Sequence, residues 1–109
     1  MNVLKFGGTS VGSAESILNV KQIVSSRQES VIVVVSALGG ITDLLLSTSA
    51  QAERGDKDFR ASYENIRKRH IGLIETVFEP SETKDRLLGA IEVEHERLRA
   101  LYEGVTGSL

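Results

Sequence analysis

The chain has 109 residues, 40% hydrophobic and 26% charged, with one proline and ten glycines; this is the make-up of an ordinary globular segment and argues against a disordered or collagenous one. A net charge of −2 supplies no basic excess for a phosphate backbone, so no nucleic-acid partner is expected. The absence of cysteine excludes disulfides, thiolate nucleophiles and cysteine-ligated metals. The longest apolar run, Val31–Val35, is far short of the roughly 20 residues of a membrane span, and the start has no basic-then-apolar signal segment. A cytoplasmic location with no membrane partner is therefore expected.

In chain order, Val3-Leu4-Lys5-Phe6 is a short apolar run stopped by Gly7-Gly8, and predicts a strand. Ile17, Val20, Ile23 and Val24 then recur at helical spacing, with Ser13 placed to cap the helix and Glu15 near its positive end. Val31–Val35 is an unbroken β-branched run, the pattern of a parallel strand covered on both faces. Ala37-Leu38-Gly39-Gly40 follows, and a helix is predicted over residues 42–54, closed by Gly55. The order is thus strand, glycine turn, helix, repeated once over residues 1–55.

The remainder, residues 56–109, predicts a helical hairpin. Phe59, Tyr63, Ile66, Leu73, Ile74 and Val77 form one stripe over residues 58–79, ended by Pro80. Ser81 is placed to cap a second helix with the stripe Leu87, Leu88, Ile91, Leu98, Leu101 and Tyr102, which Gly104 and Gly107 weaken. Two parallel strands are too few to cover the apolar faces of four helices, so a truncated α/β chain is expected.

The segment Lys5-Phe6-Gly7-Gly8-Thr9-Ser10 has the make-up of a phosphate site. Glycines let backbone N–H groups approach phosphate oxygens, the next helix presents its positive end, and the lysine offsets charge during phosphoryl transfer. Taken alone, Gly-Gly after a strand is more often a tight turn. A Walker A loop is excluded because its lysine follows the glycines, and the dinucleotide fingerprint because Gly7, Gly8 and Gly12 are wrongly spaced.

Extended by Val11-Gly12, this segment resembles the N-terminal signature of aspartokinases, within the amino acid kinase family. A second element, Val33-Val34-Val35-Ser36-Ala37-Leu38-Gly39-Gly40-Ile41-Thr42-Asp43, resembles the aspartokinase Val-Ser-Ala-x-x-x-Ile-Thr-Asn/Asp motif and follows in the right order. It also looks like some bifunctional aspartokinase/homoserine dehydrogenases. The resemblance implies an amino acid kinase-like three-layer sandwich, of which this chain holds only the N-terminal part of the catalytic domain, about two parallel strands and four helices including a long helical hairpin. It implies transfer of the ATP γ-phosphate, with magnesium, to the side-chain carboxylate of L-aspartate, at the head of lysine, threonine and methionine biosynthesis. Carried over by position, Lys5 is the catalytic residue, Gly7, Gly8, Thr9 and Ser10 line the ATP phosphates, and Ser36 and Thr42 lie near the aspartate. The family's later parts, namely the acidic residue and arginine that hold aspartate, the nucleotide-base site and the ACT domains, have no match in these residues, so no turnover is expected from the chain alone. The alternatives are another amino acid kinase, such as an acetylglutamate kinase, or a non-catalytic module for helix-mediated association. A homo-oligomer is expected from the unpaired sheet edge and apolar helix faces.

Other residues have plainer readings. Ser36 and Thr42 also suit a turn former and a helix cap. Asp43 suits a first helical turn. His70 and His95 lie on or beside apolar stripes with no metal-ligand spacing, and read as packing histidines. Arg67-Lys68-Arg69 reads as a solvated face, and Glu92, Glu94 and Glu96 as solvating charges.

Overall fold

The computed structural model describes residues 1–107 and holds two strands and four helices: β1 (Asn2–Phe6), α1 (Ala14–Ser25), β2 (Val31–Val35), α2 (Ile41–Glu53), α3 (Phe59–Val77) and α4 (Glu82–Gly107). They fall into two compact units, Met1–Thr42 and a second from Asp43 onward.

In the first unit β1 and β2 pair in parallel, from Asn2 opposite Val31 to Phe6 opposite Val35. Parallel neighbours need a crossover between them, and α1 supplies it. The ladder is extended at both ends, by the Asn2 amide donating to Ser30 O (3.2 Å) and the Ser36 amide donating to Phe6 O (3.1 Å). At the start of α1, Ser13 adopts an extended backbone and its Oγ accepts from the Ser16 amide at 3.2 Å, as its sequence position predicts.

Coverage on both faces of β2 is not what these residues provide. Ile32, Val33, Val34 and Val35 are between 41% and 55% exposed. The β-branched run fits a strand deep in a larger sheet, and among the described residues it pairs with β1 alone.

The second unit is held by side chains that reach from helix to helix. α2 ends where Gly55, with φ of 73°, permits the left-handed turn. The Asp56 amide donates to Gln51 O (2.9 Å) and the Gly55 amide to Ala52 O (3.0 Å), which satisfies carbonyls the helix leaves open. α3 stops at Val77, with Phe78 extended: Pro80 lacks an N–H and disfavours helix in the residue before it. Ser81 Oγ then accepts from the Lys84 amide at 3.1 Å and opens α4.

α3 and α4 pack as the predicted hairpin around Phe59, Tyr63, Ile66 and Tyr102, all buried. Phe59 and Tyr102 meet edge-to-face with centroids 6.4 Å apart. Tyr63 Oη donates to His95 O (3.0 Å), and Tyr102 Oη to Leu45 O (2.9 Å), tying α4 to α2. Lys84, 8% exposed, keeps its ammonium 2.8 Å from Glu75, and Arg60 clasps Glu103 through two hydrogen bonds of 3.0 and 2.9 Å. α4 runs on through Gly104 to Gly107, further than its glycines suggest. Glu103 is held by Arg60, and Thr106 Oγ1 donates to Ala52 O at 2.9 Å, so contacts outside the helix offset the low helix propensity of glycine.

Two side-chain expectations are corrected here. Arg67 is not simply a solvated charge, since its Nε lies 3.0 Å from Glu92 Oε1 across the hairpin and a second nitrogen lies 3.6 Å from Glu64. Glu92 is half-buried as a result. Glu94 and Glu96 do remain on the exposed surface, each paired with an arginine three residues on.

Candidate functional site

The final register pair, Phe6 and Val35, releases the chain into two turns side by side at the C-terminal ends of parallel strands. That end of an open α/β sheet is where ligands are received, because loops there stand clear of the strands and helix N-termini face them. The first turn is closed by the Ser10 amide donating to Gly7 O (3.0 Å), the second by the Ile41 amide donating to Leu38 O (3.0 Å), with Gly40 at φ 82°. Buried Phe6 and Val11 anchor the first turn, and buried Ile41 the second.

The two turns touch backbone to backbone. A Cβ added to Gly39 would lie 2.8 Å from Gly8 O, and one on Gly12 would lie 3.0 Å from the same oxygen. One on Gly8 would meet Gly39 Cα at 3.4 Å. Three glycines from two segments about thirty residues apart thus interlock, whereas a Cβ on Gly7 would meet nothing within 4 Å. Gly8 and Gly12 give the turns their close approach; Gly7 leaves the outer face of the loop open.

Alternation along β1 turns Phe6 inward and Lys5 to solvent. Lys5 lies opposite Val34, one pair before the ladder ends, and makes no ion pair among the described residues. Gly7 and Thr9 are exposed, while Gly8 and Ser10 are half-buried. A concavity of about 250 Å³ opens beside the loop, lined by Phe6, Thr9, Ser10, Ser16, Asn19, Val20 and Ile23. Ser36 begins the second turn, exposed, with its hydroxyl donating to Ala37 O at 2.9 Å. Thr42 is exposed and lies inside α2, whose first residue is Ile41. The cap reading for Thr42 therefore fails: Gly40 holds the position before the helix, and Thr42 lies two residues further along, inside the first turn.

Lys5, Gly7, Gly8, Thr9, Ser10, Ser36 and Thr42 thus belong to one unit and border two adjoining turns. The sequence reading overlooked Gly12 and Gly39 as the residues that let the turns meet; the recurrence of small residues in both turns was the available signal. It also overlooked Ser16 and Asn19, which line the concavity from the first turns of α1. Among the described residues no group of three or more His, Cys, Asp or Glu side chains could hold a metal ion, and no helix is long and apolar enough to cross a membrane.

An aspartokinase of Chlamydia trachomatis is 46% identical over 68 residues, which cover 62% of this chain and 15% of that protein. An aspartokinase of a Bacillus species is 52% identical over 52 residues, 45% of this chain and 13% of that protein. A chloroplastic bifunctional aspartokinase/homoserine dehydrogenase of Daucus carota is 36% identical over 70 residues, 63% of this chain and 8% of that protein. The matched residues thus span between 8% and 15% of the length of these three relatives. The amino acid kinase family itself matches over residues 1–101, nearly the whole chain and both glycine turns, and the chain belongs to that family.

Proposed function

We propose that these residues form the N-terminal part of an aspartokinase catalytic domain, with a phosphate-loop half over residues 1–55 and a helical half over 56–109. The observation that carries this reading is the adjacency of the Lys5–Gly12 and Ser36–Asp43 turns at the C-terminal ends of β1 and β2, together with identity to aspartokinases of two bacteria.

In this reading a side-chain carboxylate oxygen of L-aspartate attacks the γ-phosphorus of ATP. The bond from that phosphorus to the bridging oxygen breaks, and 4-phospho-aspartate and ADP leave. The reaction needs positioning and charge stabilisation more than a covalent residue from the protein. Lys5 offsets charge on the transferring phosphoryl group, and Gly7, Gly8, Thr9 and Ser10 offer backbone and hydroxyl donors to the phosphates. Ser36 and Thr42 face the amino acid from the second turn. Magnesium enters as the ion carried by ATP. The product feeds lysine, threonine and methionine biosynthesis, in the cytoplasm. The unpaired edges of the two-stranded sheet among the described residues favour a homo-oligomer.

The test is ATP-dependent acyl phosphate formation trapped as a hydroxamate, with aspartate and acetylglutamate offered separately. It uses this chain alone and a chimera in which it replaces the matching segment of the Chlamydia trachomatis aspartokinase. The expected result is turnover of aspartate by the chimera only, with kcat reduced about 100- to 1,000-fold by Lys5→Ala, the range for removing one electrostatic contact to a transition state. A soluble, folded chimera that forms no acyl phosphate, or that prefers acetylglutamate, overturns the reading.

A further inference from the structure

The second unit carries a pair of histidines that nothing in the kinase reading uses. His70 on α3 and His95 on α4 have ring centroids 5.1 Å apart, and His95 Nε2 lies 3.2 Å from His70 Nδ1. His95 is 3% exposed and His70 is half-buried. His70 Nδ1 also lies 3.0 Å from the Ile66 carbonyl oxygen.

These distances fix the hydrogens. A carbonyl oxygen only accepts, so His70 Nδ1 must carry the hydrogen it shares with Ile66 O. His95 Nε2, facing the same nitrogen, must then be the accepting lone pair. The hydrogen of neutral His95 is left on Nδ1, which lies 3.8 Å from Glu92 Oε1. In the neutral pair both rings thus carry hydrogen on Nδ1, and α3 and α4 are joined through one shared proton.

A second proton at His95 Nε2 would set two N–H groups against each other at 3.2 Å. A proton at His70 Nε2 would create a charge in a partly desolvated site within reach of the Arg69 charge. On α3 the charged neighbour is Arg69, and Tyr63 Oη donates to the His95 carbonyl; on α4 the charged neighbour is Glu92. Burial, opposed in part by the hydrogen bond to Ile66 O, holds His70 below its ordinary value of 6.5, and a positive charge on His95 or Arg69 adds to the effect. Glu92 lies on the far side of His95, engaged by Arg67 at 3.0 Å. Among the described residues the acidic groups of α2, Asp43 and Glu53, make no ion pair or hydrogen bond with either ring.

We infer that the His70–His95 contact is a proton-sensitive latch between α3 and α4, closed while His95 Nε2 accepts from His70 and released when a proton takes that nitrogen's lone pair. The sign follows from linkage. The open state frees a lone pair that the closed state engages and so binds a proton that the closed state excludes, and closure weakens as pH falls through the ordinary histidine range.

The experiment is hydrogen exchange and ring-nitrogen NMR on the 109-residue chain between pH 8 and 5. At pH 8 both rings should give the Nδ1–H tautomer. After correction for intrinsic rates, the opening constant of α4 amides near His95 should rise by up to tenfold per pH unit below 6.5, for one proton taken up on opening. The variant His70→Gln/His95→Gln should abolish that slope. A flat wild-type profile, a slope retained by a folded double variant, or Nε2–H on both rings overturns the latch. Should the double variant fail to fold, the wild-type tautomers and slope decide alone.

Discussion

The two units of this chain are specified in opposite ways. In the first, the decisive contact is made by atoms that are missing: Gly8, Gly12 and Gly39 approach because none carries a Cβ, and the turns that border the candidate site meet through bare backbone. In the second, the decisive contacts are made by the longest side chains present. Tyr63, Tyr102, Arg60 and Lys84 each reach another helix or its carbonyl. A phosphate loop needs room and donors close to the ligand, which small residues give. A helical hairpin needs a core, which large ones give. α1 shows the contrast in a single element, since none of its residues is buried, whereas α3 buries Phe59, Tyr63 and Ile66.

The largest expected effect lies in the helical unit. Phe59 is 1% exposed and packs edge-to-face on Tyr102; Phe59→Ala removes a buried ring and leaves a cavity, at a cost of about 3–5 kcal/mol. Urea unfolding followed by far-ultraviolet circular dichroism reads it. A loss below about 1 kcal/mol would mean that this core carries less of the stability than its burial implies.

The next effect tests the opposite logic, by adding an atom. Gly39→Ala sets a Cβ 2.8 Å from Gly8 O, a fixed backbone atom, and should cost about 1–3 kcal/mol as an overpacking change. Gly7→Ala, with open space around it, should stay within about 0.5 kcal/mol. Equal effects from the two substitutions would break the claim that the turns interlock. In the active chimera Gly39→Ala should also lower turnover, by spreading the two turns apart.

Much of this was legible in the sequence because it was local. Ser13 and Ser81 as caps, Gly55 as a helix end and Pro80 as a stop each act within a few residues, and each took the predicted place. The site motifs were legible as words. Their meeting was not, since nothing near Gly8 in sequence says that Gly39 will lie against it. The His70–His95 contact was hidden for the same reason, because each histidine alone sits on an apolar stripe as a packing residue would. Thr42 was misjudged as a cap because α2 begins at Ile41, two residues before a helix capped by Thr42 would, and the exposure of β2 followed from the size of the sheet rather than from the strand's own residues.

A pH titration isolates the helical unit. The chain has two tyrosines, both in that unit, and burial pushes the phenols of Tyr63 and Tyr102 above their ordinary value of 10, with Glu96, Glu64 and Glu92 adding to the effect at Tyr63. The folded state favours the protonated phenols, whose hydrogens go to His95 O and Leu45 O. Their stabilising contribution is therefore complete below pH 10 and lost as pH rises above it. Absorbance at 295 nm should show both ionising together with helix loss. Two ordinary phenol titrations that precede any helix loss would sink the assignment.

The smallest effect separates ion pairs that join helices from those that only decorate one. Arg60 grips Glu103 through two nitrogens and lies over the Phe59 ring, 4.8 Å from its centroid. Arg97 pairs with Glu94 within α4, both well exposed. The Arg60–Glu103 pair fixes two helices at once, but its side chains are 54% and 35% exposed, so water and salt weaken it. A double-mutant cycle to alanine should give a coupling of about 0.2–1 kcal/mol for this pair, falling in 1 M salt, and a smaller one for Arg97–Glu94. An Arg60–Glu103 coupling no larger than the local one would mean that the hairpin is joined by its buried aromatic and tyrosine contacts alone, with the bidentate clasp adding geometry and no stability.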